Sequence, residues 1–297
     1  MGNDSFSGFH PVINFFYFTA AIGFSMFFMH PVCLSISLFC ALTYCIYLKG
    51  KNAVHMVLRI LLPTLIITAL LNPLFNHEGG TIIAYFASGN PLTLESILFG
   101  IAAAAMLITV ILWFSCFNEI MTSDKIVYLA GRIIPALSLI LTMALRFVPR
   151  FTAQASVIAN AQRGIGRDAL SGILLKKAKH GIKIISILIT WSLENAIETA
   201  DSMKCRGYGL PGRTAYSIYH FDRRDRSALV FIAACAAIVM GGSAMGAYHF
   251  RFFPTVKGQW SGIWTIIVFA AYFALCVFPL LISIKDEIIW KHFQSKT

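Results

Sequence analysis

Cutting the chain at every Asp, Glu, Lys and Arg leaves five long uncharged runs: Ser5 to Leu48, Ile60 to His77, Ser96 to Asn118, Ser227 to Phe250 and Gly258 to Ile284. A helix needs about 20 mostly apolar residues to cross a bilayer. Each run therefore predicts a membrane span, and the first, divided at His30-Pro31, predicts two. The six predicted spans are helical, because transmembrane strands would appear as alternating segments of about 10 residues instead of near-continuous apolar runs. Only Asp4 is charged ahead of the first span, so there is no basic n-region and that span is expected to stay in the mature protein.

Composition agrees with a membrane chain: 58% of the 297 residues are hydrophobic and 12% are charged, whereas soluble domains are charged at about 25% of positions. The charge is also unevenly placed. Between Glu119 and Ser227 lie 16 of the 24 Lys and Arg and 8 of the 13 Asp and Glu, giving this stretch +8 of the net +11. The positive-inside rule puts the basic block in the cytoplasm. Lys49, Lys51 and Arg59 put the loop after the second span there too, while the loop from Asn72 to Leu94, charged only at Glu78, reads as external. Six spans then leave both termini inside, in keeping with Lys285, Lys291 and Lys296; Arg251 and Lys257 run against the rule. The expected organisation is spans 1 to 4 over residues 1–118, a cytoplasmic helical block over 119–227, and spans 5 and 6 with a tail over 228–297.

Several chemistries are set aside by what the residues lack. Seven dispersed cysteines without a CxxC pair form neither a disulfide framework nor a zinc site, and no histidine pair has metal-ligand spacing. No metal and no cofactor is expected. There is no GxxxxGK[ST] loop to cradle a nucleotide. Basic residues are not interleaved with stacking aromatics, so nucleic acid is not expected as a partner; the lipid bilayer is.

Within the basic block, Arg132, Pro135 and Arg146 interrupt an apolar stretch too short to span, and a proline-kinked helix along the membrane surface is expected there. Pro149 suits the first turn of a further helix, with Phe151, Ala155, Ile158 and Gln162 at helical spacing and Gly164 and Gly166 as its stop. A third helix is predicted from near Ser171 to about Arg206, basic at first (Lys176, Lys177, Lys179, Lys183) and acidic at the end (Glu194, Glu198, Asp201).

The most informative feature is a repeat. Gln162-Arg163-Gly164-Ile165-Gly166 returns 43 residues later as Cys205-Arg206-Gly207-Tyr208-Gly209, each at a predicted helix end and each followed by another arginine, Arg167 or Arg213. A helix C-terminus favours a cation, and glycine at C′ supplies the left-handed turn. The pair reads either as two coincidental caps or as two guanidinium forks at helix tips that bond carboxylates or carbonyls of a partner.

On these residues the chain resembles the transmembrane T components of energy-coupling factor (ECF) transporters, the vitamin and transition-metal importers driven by ABC-type ATPases. The likeness is strongest from Ala153 to Thr214: Ala161-Gln162-Arg163-Gly164, then Met203-Lys204-Cys205-Arg206-Gly207-Tyr208, with Arg213-Thr214 following. The tail from Pro279 to Trp290, with Glu287 and Lys291, is also similar. Gln162 and Cys205 depart from the alanine frequent at those positions. The resemblance implies an all-α polytopic membrane protein with long coupling helices, two ABC-type ATPase subunits docked on Gln162, Arg163, Gly164, Cys205, Arg206 and Gly207, and a separate substrate-binding S component in the membrane. It implies a non-catalytic coupling subunit in the plasma membrane. The competing readings are a stand-alone transporter, which would need ionisable residues or broken helices at mid-membrane, and a membrane-embedded lipid or prenyl enzyme, which would need an acid or histidine cluster at the surface. Gly242 and Gly246 in the fifth span form a GxxxG that would permit close helix packing.

Overall fold

The computed structural model describes residues 4–85, 90–166, 174–210, 219–246, 248, 250–258 and 262–294. The chain divides into two compact units: Met1–Ile126 together with Tyr219–Thr297, and Val127–Ile218.

The first unit holds the apolar helices: α1 (Pro11–Phe27), α2 (Pro31–Lys49), α3 (Lys51–Met56), α4 (Leu62–Phe75), α5 (Leu94–Ile120), α9 (Arg223–Ala244) and α10 (Ile263–Gln294). Proline at the first helical position starts both α1 and α2, where its missing N–H costs nothing. A histidine precedes each: His10 Nδ1 accepts from Val12 N at 3.3 Å and His30 Nδ1 from Val32 N at 3.2 Å. Among the described residues, five helices are long and apolar enough to cross a membrane: Pro31–Lys49, Lys51–Phe75, Leu94–Ile120, Arg223–Ala244 and Ile263–Gln294. The remaining predicted span is α1, an apolar helix of 17 residues. The third span starts nine residues before the uncharged run, at Lys51. Its helix passes Arg59 through a π-helical turn, Val57–Leu61, that joins α3 to α4, so a single charge did not end it.

Aromatic packing closes the centre of this unit. Trp113 of α5 is fully buried and meets Tyr17 and Phe18 of α1 at 6.0 and 6.3 Å between ring centroids, both edge-on. Its indole N–H donates to Ser37 Oγ at 2.9 Å, Ser37 Oγ lies 2.7 Å from Ser25 Oγ, and Tyr17 O–H donates to the Cys276 carbonyl at 3.3 Å. Four helices are thus joined by polar groups that have no water to fall back on. Gly242 is a true close approach: a Cβ there would sit 2.6 Å from the methyls of Val268 on α10. Gly246 instead lies beyond the end of α9 with φ +78°, so the GxxxG is not one helical face.

Two short antiparallel pairs flank these helices: β1 (Ile82–Tyr85) with β2 (Pro91–Thr93), and β3 (Phe250–Arg251) with β4 (Lys257–Gly258). Gly80 N donates to the Pro254 carbonyl at 3.0 Å, linking the two segments.

The second unit contains most of α6 (Ser123–Ile133), with α7 (Pro135–Gly164) and α8 (Leu174–Cys205). Here the expected single kinked surface helix is corrected to two helices. α6 ends at Ile133, and Pro135 opens α7. The expected break at Pro149 is also corrected, since α7 runs through it for 30 residues. An internal proline removes one hydrogen bond and crowds the preceding turn. Packing holds the helix together across that point: Phe147 and Phe151 stack at 5.6 Å, Phe151 meets Trp191 of α8 edge-on at 5.9 Å, and the Arg150 guanidinium lies 5.3 Å from the same indole. α8 begins at Leu174; the predicted start near Ser171 lies outside the described residues, as do Arg167, Arg213 and Thr214.

Candidate functional site

Both arginines of the repeat stand at the ends of the two long helices of the second unit. α8 closes in a Schellman motif. Tyr208 N donates to the Met203 carbonyl at 3.0 Å, Gly207 N donates to the Lys204 carbonyl at 2.9 Å, and Gly207 has φ +69°. Gly207 is therefore C′ and Arg206 the C-cap residue. α7 ends differently. Gly164 is still helical, Ile165 is the C-cap residue and Gly166, with φ +74°, is C′; its N–H donates to the Arg163 carbonyl at 2.9 Å. The expectation that Gly164 stops its helix is corrected: the second glycine, not the first, supplies the left-handed turn. Arg163 lies two residues further inside its helix than Arg206 does.

Accessibility is shared by the two ends. Arg163, Gly164, Cys205 and Arg206 are exposed, while Gln162 and Gly207 are half-buried. Cys205 is an exposed free thiol; the other six cysteines are free and buried in the first unit. Measured along the helix axes at 1.5 Å per residue, Arg163 is about 18 Å beyond Phe151 and Arg206 about 22 Å beyond Trp191. Those two rings form a contact between α7 and α8. Each guanidinium adds a full positive charge to a helix end that carries the negative pole of the dipole.

Around the α8 tip, Asp201 and Lys204 form an exposed ion pair at 3.8 Å. Pairs of this kind contribute little. Glu194, Glu198 and Asp201 are all exposed. The middle of α8 leaves Ile182, Ile185, Ile189, Leu193 and Ile197 exposed at helical spacing, a row not singled out from the sequence alone. Their spacing of three and four was the available signal. Among the described residues, no three His, Cys, Asp or Glu side chains are placed to hold a metal ion.

The family model for CbiQ, described as cobalt transport protein, matches residues 9–216, a stretch that includes both arginine motifs. The energy-coupling factor transporter transmembrane protein EcfT of Lactobacillus helveticus is 35% identical over 105 residues, which is 35% of this chain and 38% of that protein. EcfT of Bacillus selenitireducens is 37% identical over 111 residues, 37% of this chain and 41% of the relative. EcfT 1 of Listeria monocytogenes is 32% identical over 189 residues, 59% of this chain and 68% of the relative. The chain thus spans about two fifths of the length of the first two relatives and about two thirds of the third. With that match to the family model and a helical membrane fold ending in two arginine-bearing helix tips, the chain belongs to the CbiQ and EcfT family of transmembrane transport proteins, the T components of energy-coupling factor transporters.

Proposed function

We propose that this chain couples two ABC-type ATPase subunits to a substrate-binding S component, for uptake of a vitamin or a transition-metal ion across the plasma membrane. Arg163 and Arg206, with Gln162, Gly164, Cys205 and Gly207 around them, dock the ATPases. ATP is bound and hydrolysed by those partners, and the chain itself is not catalytic. The observation that carries the reading is the pair of exposed arginines at the ends of the two longest helices of one compact unit. The exposed apolar row Ile182, Ile185, Ile189, Leu193 and Ile197 is the face offered to the S component. Both termini and the second unit lie on the cytoplasmic side, as the basic block requires.

The test is assembly. One charge-assisted hydrogen bond contributes roughly 1.5 to 3 kcal/mol, so either Arg→Ala change weakens docking by about 10- to 100-fold. Two tethers act with avidity, so single variants retain ATPases while the Arg163→Ala/Arg206→Ala protein loses them. Arg→Lys keeps the charge and loses the planar fork, and couples poorly. Co-purification of ATPases with the double variant at wild-type yield would reduce both motifs to ordinary caps. For orientation, Cys205 is expected to react with a membrane-impermeant thiol reagent only after cells are opened, and a Gly79→Cys variant in intact cells.

A further inference from the structure

The chain leaves the first unit after Ile126 and re-enters it at Tyr219. One short N-terminal segment holds both crossing points. On the outgoing side the Lys125 ammonium, nine-tenths buried, donates to the Ser7 carbonyl at 2.6 Å, to Ser7 Oγ at 3.0 Å and to the Ile120 carbonyl at 2.9 Å. The Asn14 amide, oriented so that its nitrogen donates to the Phe6 carbonyl at 3.1 Å, accepts from the same ammonium at 3.3 Å. On the returning side, His10 N donates to Asp225 Oδ1 at 3.3 Å, and the Arg224 guanidinium lies 4.4 Å from the centre of the Phe9 ring. The His10 ring also meets Phe221 edge-on at 5.2 Å. The segment itself is fixed to the bundle. Asp4 accepts from Tyr44 of α2 at 3.1 Å and from Ser283 of α10, and Phe6 is fully buried against Tyr17, Phe18 and Phe278.

A buried ammonium is an expensive way to fill space. Burial pushes the Lys125 ammonium below its usual range, and the nearby Asp4 carboxylate offsets only part of that shift. An apolar side chain of similar volume would often serve stability as well or better. What the lysine adds is direction: three donors spread over acceptors on the N-terminal segment, on α1 and at the end of α5 aim the first turn of α6. We propose that Lys125 is a positioning residue that clamps the outgoing crossing to the same N-terminal anchor that holds the returning one, so that movement of α7 and α8 reaches the membrane helices through a common fixed point. The proposal rests on the coupling role argued above.

Amide hydrogen exchange of the assembled transporter, with and without ATP and orthovanadate, tests it without knowledge of the substrate. In the wild type, the α7 and α8 ends and the membrane helices are both expected to change protection when nucleotide is added. In Lys125→Met the change is expected to stay within residues 127–218, and exchange at Ser7 and Phe9 to rise about tenfold. Ser7→Ala removes one of the four acceptors and keeps the rest, so it folds even where Lys125→Met does not, and is expected to give the same pattern at about two- to threefold. Wild-type transmission into α1 and α10 in both variants would overturn the positioning role while leaving arginine docking intact. Absence of any response at the α7 and α8 ends of the wild type would instead overturn the coupling reading and this role with it.

Discussion

The ends of α7 and α8 carry the same five-residue pattern, yet they terminate their helices at different glycines. In α8 the glycine after the arginine takes the left-handed turn; in α7 it remains helical and the next glycine takes it. A helix stops where its last carbonyls find other donors, and glycine only makes the stop inexpensive. Pattern therefore locates a stop to within one or two residues, and the local hydrogen bonds choose among the permitted ones. The two guanidiniums are therefore not equivalent in position: Arg206 belongs to the cap itself and Arg163 to the last helical turn.

Alanine substitutions break or sharpen this contrast. The largest effect is expected at Gly207, where an L side chain is strained at φ +69° and its Cβ would meet Leu210 Cδ1 at 3.0 Å; Gly207→Ala should destabilise the end of α8 by about 1 to 2 kcal/mol. Gly166→Ala should cost somewhat less, about 1 kcal/mol, because its φ is also positive but none of the described residues lies within 4 Å of the added atom. Gly164→Ala should go the other way and stabilise α7 by about 0.5 kcal/mol, since alanine is the better helix former and the space is open. Thermal melting of the purified chain, with hydrogen exchange at residues 158–166 and 200–210, measures all three. A destabilising Gly164→Ala would show that this glycine, like Gly207, is the true stop.

A smaller test concerns exposure. Cys205 should be modified by a thiol reagent in the folded, detergent-solubilised protein, and the six buried cysteines only on unfolding. One modified thiol per chain before unfolding is the expected count, and its loss in Cys205→Ser assigns it. Modification of a second thiol at a similar rate would mean that the membrane bundle opens far more readily than its packing implies.

Much of the first unit was legible because the bilayer admits few solutions. Uncharged runs of sufficient length mark helices: the fourth span held to within two residues at each end, and the fifth begins four residues and ends six residues earlier than its run. The third span was drawn too short because Arg59 was treated as a boundary, whereas the helix carries it within the π turn Val57–Leu61. The second unit was less legible. Pro135 read as a kink and Pro149 as a helix start, and the structure reverses the two: Pro135 opens α7 and Pro149 lies inside it. The difference lies in contacts far along the chain, since Phe151 and Arg150 rest on Trp191, some 40 residues away.

By itself the sequence determined the helical membrane class, where most of the apolar helices lie, the basic middle block and the two arginine-glycine helix ends, because each follows from local composition, spacing or backbone preference. The tertiary structure alone decided which glycine closes each helix, that α7 passes through Pro149, and that Asp4, Ser7, His10, Lys125 and Asp225 meet at one anchor. Those outcomes depend on groups distant in the chain being brought within hydrogen-bonding or packing range. A buried donor such as Lys125 reveals its purpose only when the acceptors that surround it are in place.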